Sequence, residues 1–196
     1  MTTISKEKLI EIRKKYGLHA SWAIWAVETD RPKSNMGDLS IFEDNSVLKQ
    51  LNPNNILVAY NFSVDGKVLH PWENFHGENG EAYKLRYALR DTALWGAYMT
   101  DIIKDFVDPD AESVTEYLKE NPQVLIQNIE RFEKEVADLG VNSPRLYALG
   151  NDVFEILKTH LSSRFRIHKI THYAWQRSKE QYREKILKQL DLRNDI

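Results

Sequence analysis

Residues 56–63, "ILVAYNFS", decide the fold. The run is apolar from Ile56 to Tyr60, then breaks into Asn61-Phe62-Ser63 and a Val-Asp-Gly turn. A continuous apolar run of this length reads as a strand buried on both faces, which is the habit of parallel sheets. Its polar tip falls where α/β proteins keep their ligands, outside the carboxyl ends of the strands.

Working outward, the same alternation of strand and helix repeats. Residues 4–15 carry Ile4, Leu9, Ile10 and Ile12 at helical spacing, and Tyr16-Gly17 ends that segment. "SWAIWAVE" (21–28) reads as a buried strand, "EDNSVLKQL" (43–51) as one short helix closed by "NPNN". After "ILVAYNF" comes a long loop from Ser63 to about Gly80, and loops of that length inside a domain are usually functional. "EAYKLRYALRD" reads as a helix whose apolar surface is largely Tyr83, Tyr87 and Leu89. "LWGAYMTDI" (94–102) is a third strand, followed by the helices "PDAESVTEYLKEN" and "PQVLIQNIERFEKEVADLG". "RLYALG" is a fourth strand, after which Asn151 or Asp152 caps the helix "VFEILKTHLSS". "FRIHKIT" is a fifth strand, and residues 175–190 form a basic closing helix. Strands alternating with helices predict an α/β fold, a three-layer α/β/α sandwich with a mostly parallel central sheet, spanning residues 1–196 as a single domain.

Composition narrows the function classes. Hydrophobic content of 42% and charged content of 29% are those of a globular protein, so disorder is not expected. No window approaches the roughly 18 apolar residues of a membrane span, and the charged amino terminus carries no secretory signal, so a cytoplasmic location is expected. The absence of cysteine excludes disulfides and thiolate metal sites. His160, His168 and His172 lack metal-ligand spacing, and neither GxGxxG nor a P-loop motif occurs, so no metal and no cofactor are expected. The net charge of -2 hides an asymmetry: residues 90–157 hold 14 Asp/Glu against 6 Lys/Arg, residues 158–196 hold 10 Lys/Arg against 4 Asp/Glu. A basic end of this kind suits a polyanion, with Arg177, Lys179 and Arg183 as candidate phosphate contacts, although for any single residue a solvated mixed-charge helix is the simpler explanation.

The strand ends gather a short set of polar residues: Asn61-Phe62-Ser63, Thr100-Asp101, Gly150-Asn151-Asp152 and His172-Tyr173. Between them lies the aromatic loop with His70, Trp72, Asn74, Phe75 and His76. Asn or Asp, His and an aromatic plate make a plausible set for gripping a planar polar ring. Each also has an ordinary structural alternative. Asn61 suits an Asx turn, His172 a bond to a nearby carbonyl, Asp101 a cap, and Trp72 and Phe75 suit anchoring their loop.

With its strand ends in this order, the chain from about Ser21 to Tyr173 resembles the uracil-DNA glycosylase superfamily. "VAYNFS" occupies the place of the family's first motif, "ITHYAW" that of its second, and "GAYMTDIIK" and "RLYALGNDVFEIL" resemble its central segments. The resemblance implies a DNA glycosylase hydrolysing the N-glycosidic bond of a modified or mismatched, uracil-like base. Asn61 would position the attacking water and His172 would steady charge on the departing base. Tyr60, Phe62, Ser63, Trp72, Phe75, Thr100, Asp101 and Tyr173 would contact substrate, with Phe75 or Trp72 stacking on the base. DNA would be the partner. The chain departs from the family pattern at Phe62 and Tyr173, where proline is common, and at Tyr60, where a small residue is common. Two alternatives stand beside the enzyme: a non-catalytic nucleobase-, nucleic-acid- or protein-binding module on the same fold, and an unrelated flavodoxin-like hydrolase.

Overall fold

The computed structural model describes residues 4–61, 70–78, 80–104, 106, 108 and 110–191. Its five strands are Ala20–Trp22 (β1), Asn52–Asn61 (β2), Ala97–Ile103 (β3), Arg145–Leu149 (β4) and Arg166–Ile170 (β5). They form one sheet in the order β1-β3-β2-β4-β5. β1 lies antiparallel to β3, and the other three pairings are parallel. The helices are Lys6–Tyr16 (α1), Ala82–Leu89 (α2), Ala111–Glu120 (α3), Pro122–Asp138 (α4), Asn151–Leu161 (α5) and Lys179–Asp191 (α6). The mostly parallel α/β reading therefore holds.

The apolar run of β2 explains the layering. Ile56 and Val58 join a core with Ile12 of α1, Val114 of α3, Phe132 of α4 and Leu157 of α5. Leu57 and Ala59 join a second core with Leu85 of α2 and Tyr182 and Ile186 of α6. Successive side chains of a strand point to opposite faces, so the middle of a strand covered by helices on both sides is apolar at every position. All four of these residues are buried.

Several local expectations are corrected. The first strand is only three residues long, because the Ile24 N–H turns back to the Trp22 carbonyl at 2.7 Å and takes the chain off the sheet edge. "NPNN" does not close a helix. It opens β2, with the Asn52 N–H donating to the Gly96 carbonyl at 2.7 Å, and the register shifts between Asn52 and Ile56, around a proline that has no N–H to give. The short helix before it is two 3₁₀ turns, Ser40–Phe42 and Asn45–Lys49. The closing helix starts at Lys179, since residues 172–178 form consecutive turns.

On α2 the buried face is Leu85, Ala88 and Leu89 together with Lys84 and Arg86, while Tyr83 and Tyr87 are only half-buried. Burial of Arg86 is compensated by donation to the carbonyls of Ala26, Pro32 and Ser34 at 2.8–3.0 Å. Buried charge is tolerated only with such partners. The cap of α5 is Gly150 rather than Asn151 or Asp152, because the strand-to-helix turn takes φ to +100° there.

The chain leaves β2 for β3 on one side and reaches β4 on the other side of β2. The carboxyl ends of β2 and β4 therefore flank a reversal of strand order, where open α/β sheets form their crevice. No helix among the described residues is long and apolar enough to cross a membrane.

Candidate functional site

Asn61 is the last residue of β2. Strand alternation puts it on the α2/α6 face with Leu57 and Ala59. Its Nδ2 donates to the Asp108 carbonyl at 2.7 Å, which fixes the amide plane. Tyr60 turns the other way, packs on the α1/α3/α4/α5 core, and its phenol bonds Thr115 Oγ1 of α3 at 2.7 Å. Phe62 and Ser63 lie outside the described residues.

Asp101 sits inside β3 rather than capping its end, and is 2% exposed. It pairs in register with Ala59 of β2, one pleat below Asn61 on the same face. Asn74 Nδ2 donates to Asp101 Oδ2 at 2.7 Å and to the His19 carbonyl at 3.1 Å. Burial pushes the Asp101 carboxyl up to about 7, against the opposing pull of Lys104 and Asn74.

Thr100 faces the other side. It accepts from Lys104 Nζ at 3.0 Å, in a buried cluster where Lys104 also pairs with Glu135 at 3.0 Å and Tyr98 donates to Glu135 at 2.6 Å. Thr100 therefore belongs to the packing between β3 and α4, not to the crevice.

His172 follows β5 by two residues and is half-buried. Its Nδ1 accepts the Ala174 N–H at 3.1 Å, and burial pushes its pKa down to about 4. A neutral imidazole with Nδ1 as acceptor carries its proton on Nε2, so the ring presents one N–H donor. Tyr173 stacks on it with ring centroids 4.2 Å apart. Burial and then the nearby Asp101 raise the Tyr173 phenol, which stays protonated. Tyr173 thus touches His172 and lies within electrostatic reach of Asp101. A hollow of about 350 Å³ opens beside His172, lined also by Gly150, Asn151, Lys169, Thr171 and Trp175.

The aromatic loop behaves differently from the expectation. Trp72 is fully buried and Phe75 is 3% exposed, so neither offers a ring face to a base. Trp72 N–H donates to the Gly17 carbonyl, and the Phe75 carbonyl accepts from Trp25 Nε1. His76 is a neutral core histidine bonded to Ser21 Oγ at 2.8 Å, with burial pushing it down to about 3.

Of the three basic candidates, two are used by the fold. Arg183 donates to the carbonyls of Tyr87, Ala88 and Arg90 at the end of α2. Lys179 pairs with Glu28 at 3.2 Å and lies over the Tyr87 ring. Arg177 remains exposed and covers Trp175.

The structure brings Asn61, Asp101 and Tyr173 to one end and one face of the sheet, with His172 stacked on Tyr173 at that end, and removes Tyr60, Thr100, Trp72 and Phe75 from it. The role of Asn74 as the partner of Asp101 was not legible, because 27 positions separate them. The exposure of Trp175 at the hollow was hidden by reading it as a helix face. Among the described residues no three His, Asp or Glu side chains converge as a metal ion would require. No protein-family model, no curated protein and no solved structure matches this chain.

Proposed function

We propose that this chain is a uracil-DNA glycosylase-like protein that hydrolyses the N-glycosidic bond of a modified or mismatched base in DNA. The observation that supports the reading is that Asn61 ends β2 and His172 follows β5 by two residues, both at the carboxyl end of the sheet. β4 lies between their strands, a backbone separation of roughly 10 Å, or two strand spacings. A deoxyribose-linked base spans a gap of that size.

The chemistry follows from the two side chains. Asn61 Nδ2 donates to the Asp108 carbonyl, which fixes the amide plane, and this amide is the group that would hold the water. Held there, the water is oriented toward the sugar carbon as the bond to the base nitrogen lengthens. Negative charge grows on the departing base, and the Nε2–H of neutral His172 donates to it. Water adds its oxygen to the sugar carbon, the bond electrons leave with the base, and the base takes up the proton. The target base must leave the helix to reach such a site.

A second reading, recognition of a nucleobase or a protein without catalysis, is favoured by one observation: the two aromatic residues expected to stack on the base, Trp72 and Phe75, are buried. One experiment separates the readings. Labelled oligonucleotides carrying uracil, hypoxanthine, xanthine or alkylated bases are incubated with the pure protein, and abasic sites are read by alkaline cleavage. The enzyme reading expects release from at least one substrate, abolished by both Asn61→Ala and His172→Ala. No release from any substrate, with folded variants indistinguishable from the parent, would overturn it and leave the binding module.

A further inference from the structure

We infer that the exposed edge of β5 carries a track for single-stranded nucleic acid, running from α5 across Lys169 to Trp175. This deepens the reading above by naming the form of the strand, and its test needs no chemistry.

The track is a chain of alternating cations and rings. On α5, Lys158 Nζ lies 5.8 Å from the centre of the Phe154 ring, and Lys169 Nζ of β5 lies 5.3 Å from the same ring. Lys169 in turn lines the 350 Å³ hollow whose far wall is Trp175. Arg177 closes the line, its guanidinium 5.5 Å from the Trp175 ring. Lys158, Lys169 and Arg177 are all exposed, as is Arg166 at the start of β5. Asp152, in the first turn of α5, acts instead on the Tyr60 phenol toward β2.

Trp175 is among the few large apolar side chains left exposed, at 37%. Its main chain is held: Lys84 Nζ donates to its carbonyl at 3.0 Å and its N–H donates to the His172 carbonyl at 3.1 Å. An exposed tryptophan beside a hollow gives an unpaired base a surface to stack on, while flanking cations follow the phosphates. In a duplex the base faces are already stacked on their neighbours. Among the described residues β5 pairs only with β4, and Arg166 and Lys169 on it are exposed.

The test measures anisotropy of a labelled 12-nucleotide oligothymidylate against the full-length protein from 50 to 300 mM KCl, beside a duplex of equal length. The single strand should bind at least tenfold more tightly than the duplex. Trp175→Ala should weaken it about tenfold at every salt concentration, as loss of one stacked base does, while Trp175→Phe keeps most of the affinity. Lys169→Glu or Lys158→Glu should lower the slope of log K against log salt by about 0.7 for each phosphate that is no longer neutralised. Duplex binding equal to or tighter than single-strand binding would overturn the inference. So would full affinity in Trp175→Ala, which would reduce the edge to an unspecific cation patch. The binding assay reads no base release, which keeps a failure of this inference distinct from a failure of the glycosylase reading.

Discussion

Replacing Asp101 by asparagine tests how the crevice is built. The carboxyl is buried in β3, and burial raises it from 3.8 to about 7. Between those values the folded protein holds a proton that the unfolded chain has released. Stability from this group is therefore full below pH 3.8 and is lost as pH rises through 7. About three units at 1.36 kcal/mol each amount to about 4 kcal/mol at pH 8, and to about 1.5 kcal/mol at pH 5. Asparagine keeps an oxygen to accept the Asn74 amide and carries no charge at any pH. The variant should be more stable than the parent by a margin that grows from about 1.5 to about 4 kcal/mol between pH 5 and pH 8. His76 and His172 run the other way. Their folded values, pushed down to about 3 and about 4, lie below the ordinary 6.5, so stability falls as pH drops below 6.5. Both histidines are present in parent and variant, so their contribution cancels in the difference. Urea unfolding of the two proteins at pH 5, 6, 7 and 8 gives that difference directly. A gap that stays constant or narrows with rising pH would refute the reasoning, because Asp101 would then be ionised in the folded protein at ordinary pH.

Two further outcomes follow from the packing. Gly96 has φ of +78°, and a Cβ there would sit 1.8 Å from the Gln50 carbonyl oxygen, so Gly96→Ala should cost more than about 3 kcal/mol and lower the melting temperature by about 10 °C in calorimetry. Glu135→Ala strands Lys104 Nζ and the Tyr98 hydroxyl beneath α4, and chemical denaturation should show a loss of about 3–5 kcal/mol, with Glu135→Gln losing less.

Periodicity and composition determined the layers of this protein. The unbroken apolar run Ile56–Ala59 requires cover on both faces of its strand, and the helical patterns around it supply that cover. Asn61 and His172 were legible as strand-end residues for the same reason: a polar residue directly after a buried strand stands at the carboxyl edge of the sheet. Where a residue points, and what it meets, was decided only in three dimensions. Thr100 and Asp101 are neighbours in sequence, yet alternation sends one to the Lys104–Glu135 cluster and the other to Asn74 and Tyr173. Trp72 and Phe75 look like binding aromatics in a polar loop, but bonds to Gly17 and Trp25 draw them into the core. Arg183 and Lys179 look like phosphate contacts, but carbonyls at the end of α2 and the carboxylate of Glu28 hold them. Each of these partners is distant along the chain. Local pattern specifies burial and periodicity, whereas pairing between distant groups depends on which surfaces the packed layers bring face to face.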